Sequence, residues 1–110
     1  MKCLVYDEDK FTRELVLGFI KKTDGLISIS QQEASEADIL FVDAAIYDGD
    51  YRLGLQKDTK IVIVSSNKQY IHSFFQNEIE DYLMKSELSL ERFEMSIRKI
   101  RGIIEEKVSA

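Results

Sequence analysis

Five short apolar runs recur along the chain, and four of them end directly at a charged or hydroxyl-bearing residue. The runs are Cys3–Tyr6, Leu26–Ser30, Ile39–Val42, Ile61–Val64 and Tyr82–Met84. Helix-length stretches lie between them, and in the first of these Phe11, Leu15 and Phe19 recur at helical spacing. Strands that alternate with helices in this way predict a parallel sheet with right-handed crossovers. We therefore predict an α/β fold of the (βα)5 type.

Capping residues indicate where three of the helices begin. Asp9 could cap the first helix, and Ser66 with Gln69 has the spacing of a capping box for the fourth. Ser89 precedes the last helix, whose apolar stripe is regular. That stripe consists of Leu90, Phe93, Ile97, Ile100 and Ile104. The first, fourth and last helices are therefore the ones that the sequence marks most clearly.

Composition narrows the class of protein. With 110 residues, 45% of them hydrophobic and 32% charged, the chain is long enough for one domain with one core. A net charge of -5 argues against direct nucleic-acid binding, and no apolar run approaches the length of a membrane span. A lone cysteine, Cys3, excludes an internal disulfide and fits a reducing cytoplasm. No signal peptide is expected, because a strand-like run follows Met1-Lys2 directly.

Polar side chains at the strand ends form a candidate site. Asp7 and Glu8 follow the first strand, Asp43 the third, Ser65 the fourth and Lys85 the fifth. Ligands of open parallel sheets bind outside the carboxyl ends of the strands, so these groups should meet in one crevice. Oxygen ligands suit Mg²⁺, and a lysine suits a phosphate. The constellation predicts a metal-assisted phosphoryl site in which one carboxylate can act as the nucleophile.

The same fragments, in the same order, resemble the receiver domains of two-component response regulators. The matching segments are 4–9, 39–43, 61–66 and 81–85. The resemblance covers essentially the whole chain and implies a single receiver domain over residues 1–110. It implies a flavodoxin-like fold with a five-stranded parallel sheet of order 2-1-3-4-5. It also implies a signalling module that catalyses, at most, its own phosphorylation and dephosphorylation.

Roles for individual residues follow from the resemblance. Asp43 would accept a phosphoryl group from a sensor histidine kinase or a phosphotransfer protein. Mg²⁺ would be held by Asp7, Glu8, Asp43 and the backbone carbonyl of Ala45. Lys85 would pair with Asp43 before transfer and with the phosphoryl group afterwards. Ser65 and Tyr82 would act as the switch residues, and a downstream protein target would read the change.

The chain departs from the receiver pattern in two ways. Tyr47 and Ser86 stand where receivers usually have prolines, one of them after the lysine and joined by a cis bond. The segments 31–38 and 49–60 are short, so the second and third helices should be shortened. One face of the sheet would then be thinly covered, although parallel sheets normally bury both faces. We therefore expect a partner or a second copy, as in a homodimer, to cover that face.

Other interpretations of these residues stay open. Asp7, Glu8 and Asp9 could be no more than a charge cluster at a helix N-terminus, which the helix dipole favours, and Ser65 could be a second helix cap. Lys85 could be a solvated side chain, and Tyr82 a packed strand aromatic. At the level of function, the alternative is a pseudo-receiver that acts as an interaction or dimerisation module without phosphorylation. A nucleotide-binding enzyme is disfavoured, because no glycine-rich loop follows the first strand.

Overall fold

Five parallel strands form the centre of the molecule. The computed structural model describes residues 1–44, 46, 55, 56, 58–66 and 79–109, with the backbone alone for 105–109. The strands are β1 (Lys2–Tyr6), β2 (Ile27–Ser28), β3 (Ile39–Asp43), β4 (Lys60–Ser65) and β5 (Asp81–Met84). All neighbouring pairs are parallel, and the order is β2-β1-β3-β4-β5. The predicted α/β fold and strand order are confirmed.

Two α-helices are described, and both begin at the predicted caps. Helix α1 spans Lys10–Lys22, and the Asp9 side chain accepts a hydrogen bond from the Phe11 N–H at its start. The C-terminal helix spans Leu90–Ser109, and the Ser89 hydroxyl accepts one from the Arg92 N–H. Neither helix is long and apolar enough to cross a bilayer. Polar caps at both starts satisfy N–H groups that have no partner within the helix.

A 3-10 segment, Gln31–Glu36, replaces the second helix. The Ser30 N–H donates to Glu33 Oε1 at 3.3 Å, which closes the start of this segment. The segment consists of two short 3-10 turns with a kink at Glu33, and it lies within the connection from β2 to β3, where a longer α-helix would need more chain. The predicted shortening is confirmed here. The shortening of the third helix and the predicted start of the fourth concern segments mostly outside the described residues.

Helix α1 and the C-terminal helix pack on one face of the sheet. The Phe41 and Phe93 rings stack with centroids 5.3 Å apart, and the Phe19 ring lies 5.5 Å from that of Phe93. These rings belong to a buried cluster that joins both helices to β1, β3, β4 and β5. Full burial of such a side chain stabilises the fold by about 1.5–3 kcal/mol, so Phe93 is a principal anchor of the C-terminal helix.

The opposite face of the sheet is also buried at its centre. Its inward-facing side chains, Leu4, Leu40, Val42, Ile61 and Ile63, are all 4% exposed or less. Tyr82 joins this second cluster, with Ile79 beside it. The thin cover that we expected on this face is therefore not found at these residues. A homodimer stays a prediction, but these strands supply no exposed patch for it.

Candidate functional site

Lys85 brings three carboxylates together at the carboxyl edge of the sheet. Its Nζ atom lies 2.5 Å from Asp43 Oδ2 and donates a hydrogen bond to it. The same atom is 3.5 Å from Asp7 Oδ2 and 3.9 Å from Asp9 Oδ2. Asp43 ends β3, Asp7 follows β1, and Lys85 follows β5, so parallel strands deliver all three to one edge. This clustering of Asp7, Asp43 and Lys85 is what the strand-end pattern predicts.

The turn between β1 and α1 fixes the Asp7 carboxylate. Its Oδ1 accepts the Asp9 N–H at 2.8 Å, and its backbone carbonyl accepts a hydrogen bond from Arg13 Nη1 at 2.9 Å. Its Oδ2 is buried and accepts no hydrogen bond from the described residues. A buried carboxylate oxygen without a donor is costly unless a cation stands close by. Lys85 at 3.5 Å compensates for part of that cost.

Ionisation of the cluster reflects its burial and crowding. Burial raises the pKa of Asp7, and the neighbouring charge of Asp43 raises it further, against the opposing effects of the Asp9 N–H and of Lys85. Burial lowers the pKa of Lys85, but the hydrogen bond to Asp43 and the charges of Asp7, Asp43 and Asp9 outweigh burial and raise it overall. Lys85 is therefore a firmly protonated cation that holds two crowded carboxylates together.

Asp9 was predicted as a helix cap and as part of a charge cluster at the helix start, and its contact with Lys85 was not predicted. Its side chain is half-exposed, accepts hydrogen bonds from Phe11 N and Thr12 Oγ1, and still reaches the ammonium group. The hydrogen bond from Thr12 holds the pKa of Asp9 below its usual value. The signal available in the sequence was its place as the third acid of the run that follows β1.

Glu8 takes a different position from its neighbours. It is exposed, and it does not come within 4.0 Å of a basic group in the described part of the chain. It lines a shallow cleft of about 230 Å³ together with Asp7, Arg13 and Ile46. Glu8 therefore shares a cleft with Asp7 but does not contact Lys85 among the described residues, and its predicted role as a metal ligand remains a prediction.

The other predicted residues lie around the same edge. Ser65 ends β4 and is buried, and the register places it opposite Met84, next to Lys85 in the chain. The Tyr82 side chain is buried in the second core cluster, and its carbonyl accepts a hydrogen bond from Arg92. Ala45 lies outside the described residues. No cis peptide bond occurs in the described chain, including at Ser86.

The carboxylates of this site can supply part of the ligand set of a divalent cation. No three acidic, histidine or cysteine side chains of the described chain are arranged to hold an ion. Mg²⁺ in proteins, however, is commonly bound by one or two carboxylates and keeps several waters. Asp7 and Asp43 are two neighbouring carboxylates, and Asp7 Oδ2 is a buried acceptor that takes no hydrogen bond from the part of the chain that the structure describes. These two residues fit the protein share of a hydrated magnesium site.

Comparison with solved structures defines the class of fold. No protein-family model matches the sequence, and no curated protein matches it. The response regulatory domain of protein mrkE from Klebsiella pneumoniae superposes with a TM-score of 0.77 at 15% identity, covering 96% of this chain and 99% of that one. A response regulator from Thermotoga maritima gives a TM-score of 0.67 at 25% identity, covering 90% and 95%.

The chain therefore has the fold of response-regulator receiver domains over nearly its full length. A third similar structure is the Mn²⁺-bound form of response regulator Rcp1, with a TM-score of 0.60 at 16% identity over 86% of this chain and 88% of that one. A divalent metal is thus bound by at least one protein of this fold. Because a fold hosts many functions, the role of this chain has to be argued from its own site.

Proposed function

We propose that this chain is a phosphorylatable receiver whose Asp43 accepts a phosphoryl group from a sensor histidine kinase or a phosphotransfer protein. The observation that carries the proposal is the 2.5 Å hydrogen bond from Lys85 Nζ to Asp43 Oδ2 at the carboxyl edge of the sheet. A lysine held against a carboxylate supplies a positive charge where a phosphoryl group would arrive. Asp7 beside them adds a second oxygen donor to the site.

The transfer is a displacement at phosphorus. A carboxylate oxygen of Asp43 attacks the phosphorus of a phosphohistidine, an O–P bond forms, the P–N bond breaks, and its electron pair returns to the imidazole nitrogen. Lys85 turns from the Asp43 carboxylate to the new phosphoryl oxygens and offsets their charge. The Ser65 hydroxyl, buried at the end of β4, donates a hydrogen bond to one of them.

Magnesium is the proposed cofactor, with Asp7 and Asp43 as its protein ligands. Bound there, it would neutralise charge that builds up on the phosphoryl oxygens. The Mn²⁺-bound receiver Rcp1 supports this choice of a divalent cation. Glu8 and the carbonyl of Ala45 are proposed as further ligands on the basis of the sequence alone. Glu8→Gln and its effect on the response to metal test the proposed side-chain ligand.

Output is proposed to pass through protein contacts. The added charge on Asp43 would draw Ser65 toward the phosphoryl group, and Tyr82 would repack in the second core cluster where its ring now lies. A downstream protein in the cytoplasm would recognise the altered surface. The chain would catalyse, at most, its own phosphorylation and dephosphorylation, so the proposed role is that of a signalling module and not of an enzyme that turns over a substrate.

The decisive experiment is phosphorylation with a small donor. The protein is incubated with acetyl phosphate and Mg²⁺, and its intact mass is measured beside Asp43→Asn and Asp58→Asn. Asp58 is an exposed acid ahead of β4 and serves as the matched control. We expect a phosphoryl-sized mass gain that requires Mg²⁺, persists in the Asp58 variant and disappears in the Asp43 variant. A gain that survives in Asp43→Asn would refute the assignment.

The second candidate is a pseudo-receiver that acts as an interaction module without phosphorylation. Replacement of the second helix by the 3-10 segment Gln31–Glu36 favours it, since the chain is trimmed relative to the receiver pattern. The Asp43–Lys85 hydrogen bond disfavours it, because a module that never takes a phosphoryl group has no need of this pair. If Asp43→Ala leaves the activity in the cell unchanged and acetyl phosphate adds no mass, this second function is the correct one.

A further inference from the structure

The Asp9 carboxylate belongs to two structures at once. At the start of α1 it accepts hydrogen bonds from Phe11 N at 3.2 Å and from Thr12 Oγ1 at 2.5 Å. The Oδ2 atom that accepts the Thr12 hydroxyl also lies 3.9 Å from Lys85 Nζ. Its N–H donates to Asp7 Oδ1. The residue therefore joins the first turn of α1 to both the lysine and the acid of the site.

The placement of Lys85 raises a problem that Asp9 can solve. Its ammonium group occupies Asp43 Oδ2 at 2.5 Å, where it competes with any other cation for that oxygen and blocks it as a nucleophile. To release Asp43, the ammonium has to keep another negative partner, because an isolated charge is costly where Asp7 and Asp43 are both buried or nearly so. Asp7 cannot fill this role when it binds a metal ion. Asp9 is the remaining carboxylate within 4.0 Å of Lys85 among the described residues.

Asp9 is also suited to this role by its rigidity. Two side-chain hydrogen bonds hold its carboxylate, and its carbonyl accepts the Arg13 N–H at 2.9 Å. Its side chain is 48% exposed, against 3% for Asp7. An anchor at the rim lets the ammonium move outward from Asp43 without leaving the site. The path from one partner to the other is short, since a single Lys85 position already lies within 4 Å of both.

We propose, on the basis of the function proposed above, that Asp9 is a positioning residue: it gives Lys85 a second anchor and so frees Asp43 for the cation and the phosphoryl group. The capping role alone does not account for a carboxylate, because Asn and Ser cap helices as well as Asp does. The hydrogen bonds of the cap do not require the negative charge, and the attraction of that charge to the helix dipole does not depend on Lys85. Substitutions that keep the cap and remove the charge therefore test the proposed role.

The test compares Asp9→Asn and Asp9→Ser with Glu14→Gln. Glu14 lies on α1 and pairs with Lys10 at the surface, so its substitution makes the same change in net charge away from the site. Mg²⁺ affinity is measured by NMR titration of each full-length variant. Both Asp9 variants should bind Mg²⁺ about two- to five-fold more weakly, the range expected of a partly exposed ion pair. Glu14→Gln should bind it like the unsubstituted protein.

A second arm asks whether Asp9 acts through Lys85. In a Lys85→Met background, Asp9→Asn should no longer change the Mg²⁺ affinity, because the group that it positions is gone. In the metal-free protein, the ¹⁵N signal of Lys85 Nζ should shift in both Asp9 variants and stay in place in Glu14→Gln. An equal loss of affinity in both backgrounds would show a simple field effect and overturn the proposal.

The failure of this inference can be told from the failure of the proposed function. If the unsubstituted protein shows no response to Mg²⁺ and no mass gain with acetyl phosphate, the receiver function fails and the inference falls with it. If the unsubstituted protein responds and the Asp9 variants respond equally, the function stands and the role of Asp9 is overturned. Equal helix content by circular dichroism in Asp9→Asn, Asp9→Ser and the unsubstituted protein would confirm that the cap is intact. A somewhat lower melting temperature is expected in both variants, because the ionised carboxylate of Asp9 stabilises the fold.

Discussion

Arg92, in the first turn of the C-terminal helix, forms a bidentate ion pair with the buried carboxylate of Asp81 at the start of β5. Its two terminal nitrogens lie 3.2 and 3.1 Å from the two Asp81 oxygens, and one of them also donates to the Tyr82 carbonyl at 3.2 Å. A two-pronged arginine–carboxylate pair fixes orientation as well as distance. The strand that carries Tyr82 and leads to Lys85 is thereby tied to the C-terminal helix.

Removal of Arg92 should therefore destabilise the fold strongly. Arg92→Ala leaves the buried Asp81 carboxylate without its main donor, and we expect a loss of about 2–3 kcal/mol in the free energy of unfolding. Arg98→Ala is the control, because Arg98 pairs only loosely with Glu94 at the surface, and it should change stability by less than about 0.5 kcal/mol. Urea unfolding of the two variants measures the difference. Equal stabilities would show that the pair contributes nothing.

The same pair predicts how stability responds to acid. Burial raises the pKa of Asp81, but Arg92 and the Tyr82 N–H outweigh it and hold that pKa below its usual value. A carboxyl with a depressed folded-state pKa adds stability above its unfolded pKa of about 3.9 and loses it as the pH falls through the folded value. Unfolding free energies measured below about pH 4 should fall less steeply in Asp81→Asn than in the unsubstituted protein.

Asp7 should behave in the opposite way. Burial and the Asp43 charge raise its folded-state pKa, so the ionised carboxylate disfavours folding as the pH rises above the unfolded value. Asp7→Asn should therefore raise the free energy of unfolding by about 0.5–2 kcal/mol at neutral pH. It should also abolish the response to Mg²⁺. Thermal unfolding without metal tests the first expectation, and a decrease in stability would contradict it.

Substitution by alanine should change the stability of the fold in opposite directions at two glycines, Gly25 and Gly18. Gly25 has a φ of +83°, and an added Cβ would come within 3.0 Å of the Arg101 side chain, so Gly25→Ala should cost about 1–2 kcal/mol. Gly18 lies inside α1 with open space beside it, so Gly18→Ala should stabilise by about 0.5–1 kcal/mol. Chemical unfolding of both variants gives the comparison, and a change of the same sign in both would be unexpected.

Sequence patterns predicted most of the fold, because parallel strands that are buried on both faces appear in the sequence as continuous apolar runs. The runs at β1, β3, β4 and β5 are continuous and apolar, and the structure places strands there to within a residue of each predicted boundary. Strand β2 is shorter than predicted, with only Ile27–Ser28 paired. An edge strand has one neighbour, so side-chain pattern alone does not tell how far its pairing extends.

The sequence predicted where the site residues lie in the fold better than it predicted which of them are in contact. Strand ends placed Asp7, Asp43 and Lys85 at one edge because the direction of a strand fixes where its carboxyl end lies. The turn after β1 decides which of three consecutive acids faces the lysine. There the structure selects Asp7 and Asp9 over Glu8, through hydrogen bonds that no periodicity encodes.

The brevity of β2 has a consequence for how copies of the chain meet one another. Its pairing extends over two residues of β1, Lys2 and Cys3, and its Ile27 side chain is exposed. A long, flat edge with apolar side chains is a template on which another chain can add a strand. Two residues offer too few backbone groups for such an addition. A second copy of the chain therefore cannot extend the sheet at this edge, because β2 is too short to pair with another strand. Neither a charge nor a proline within Ile27–Ser28 is needed to block it.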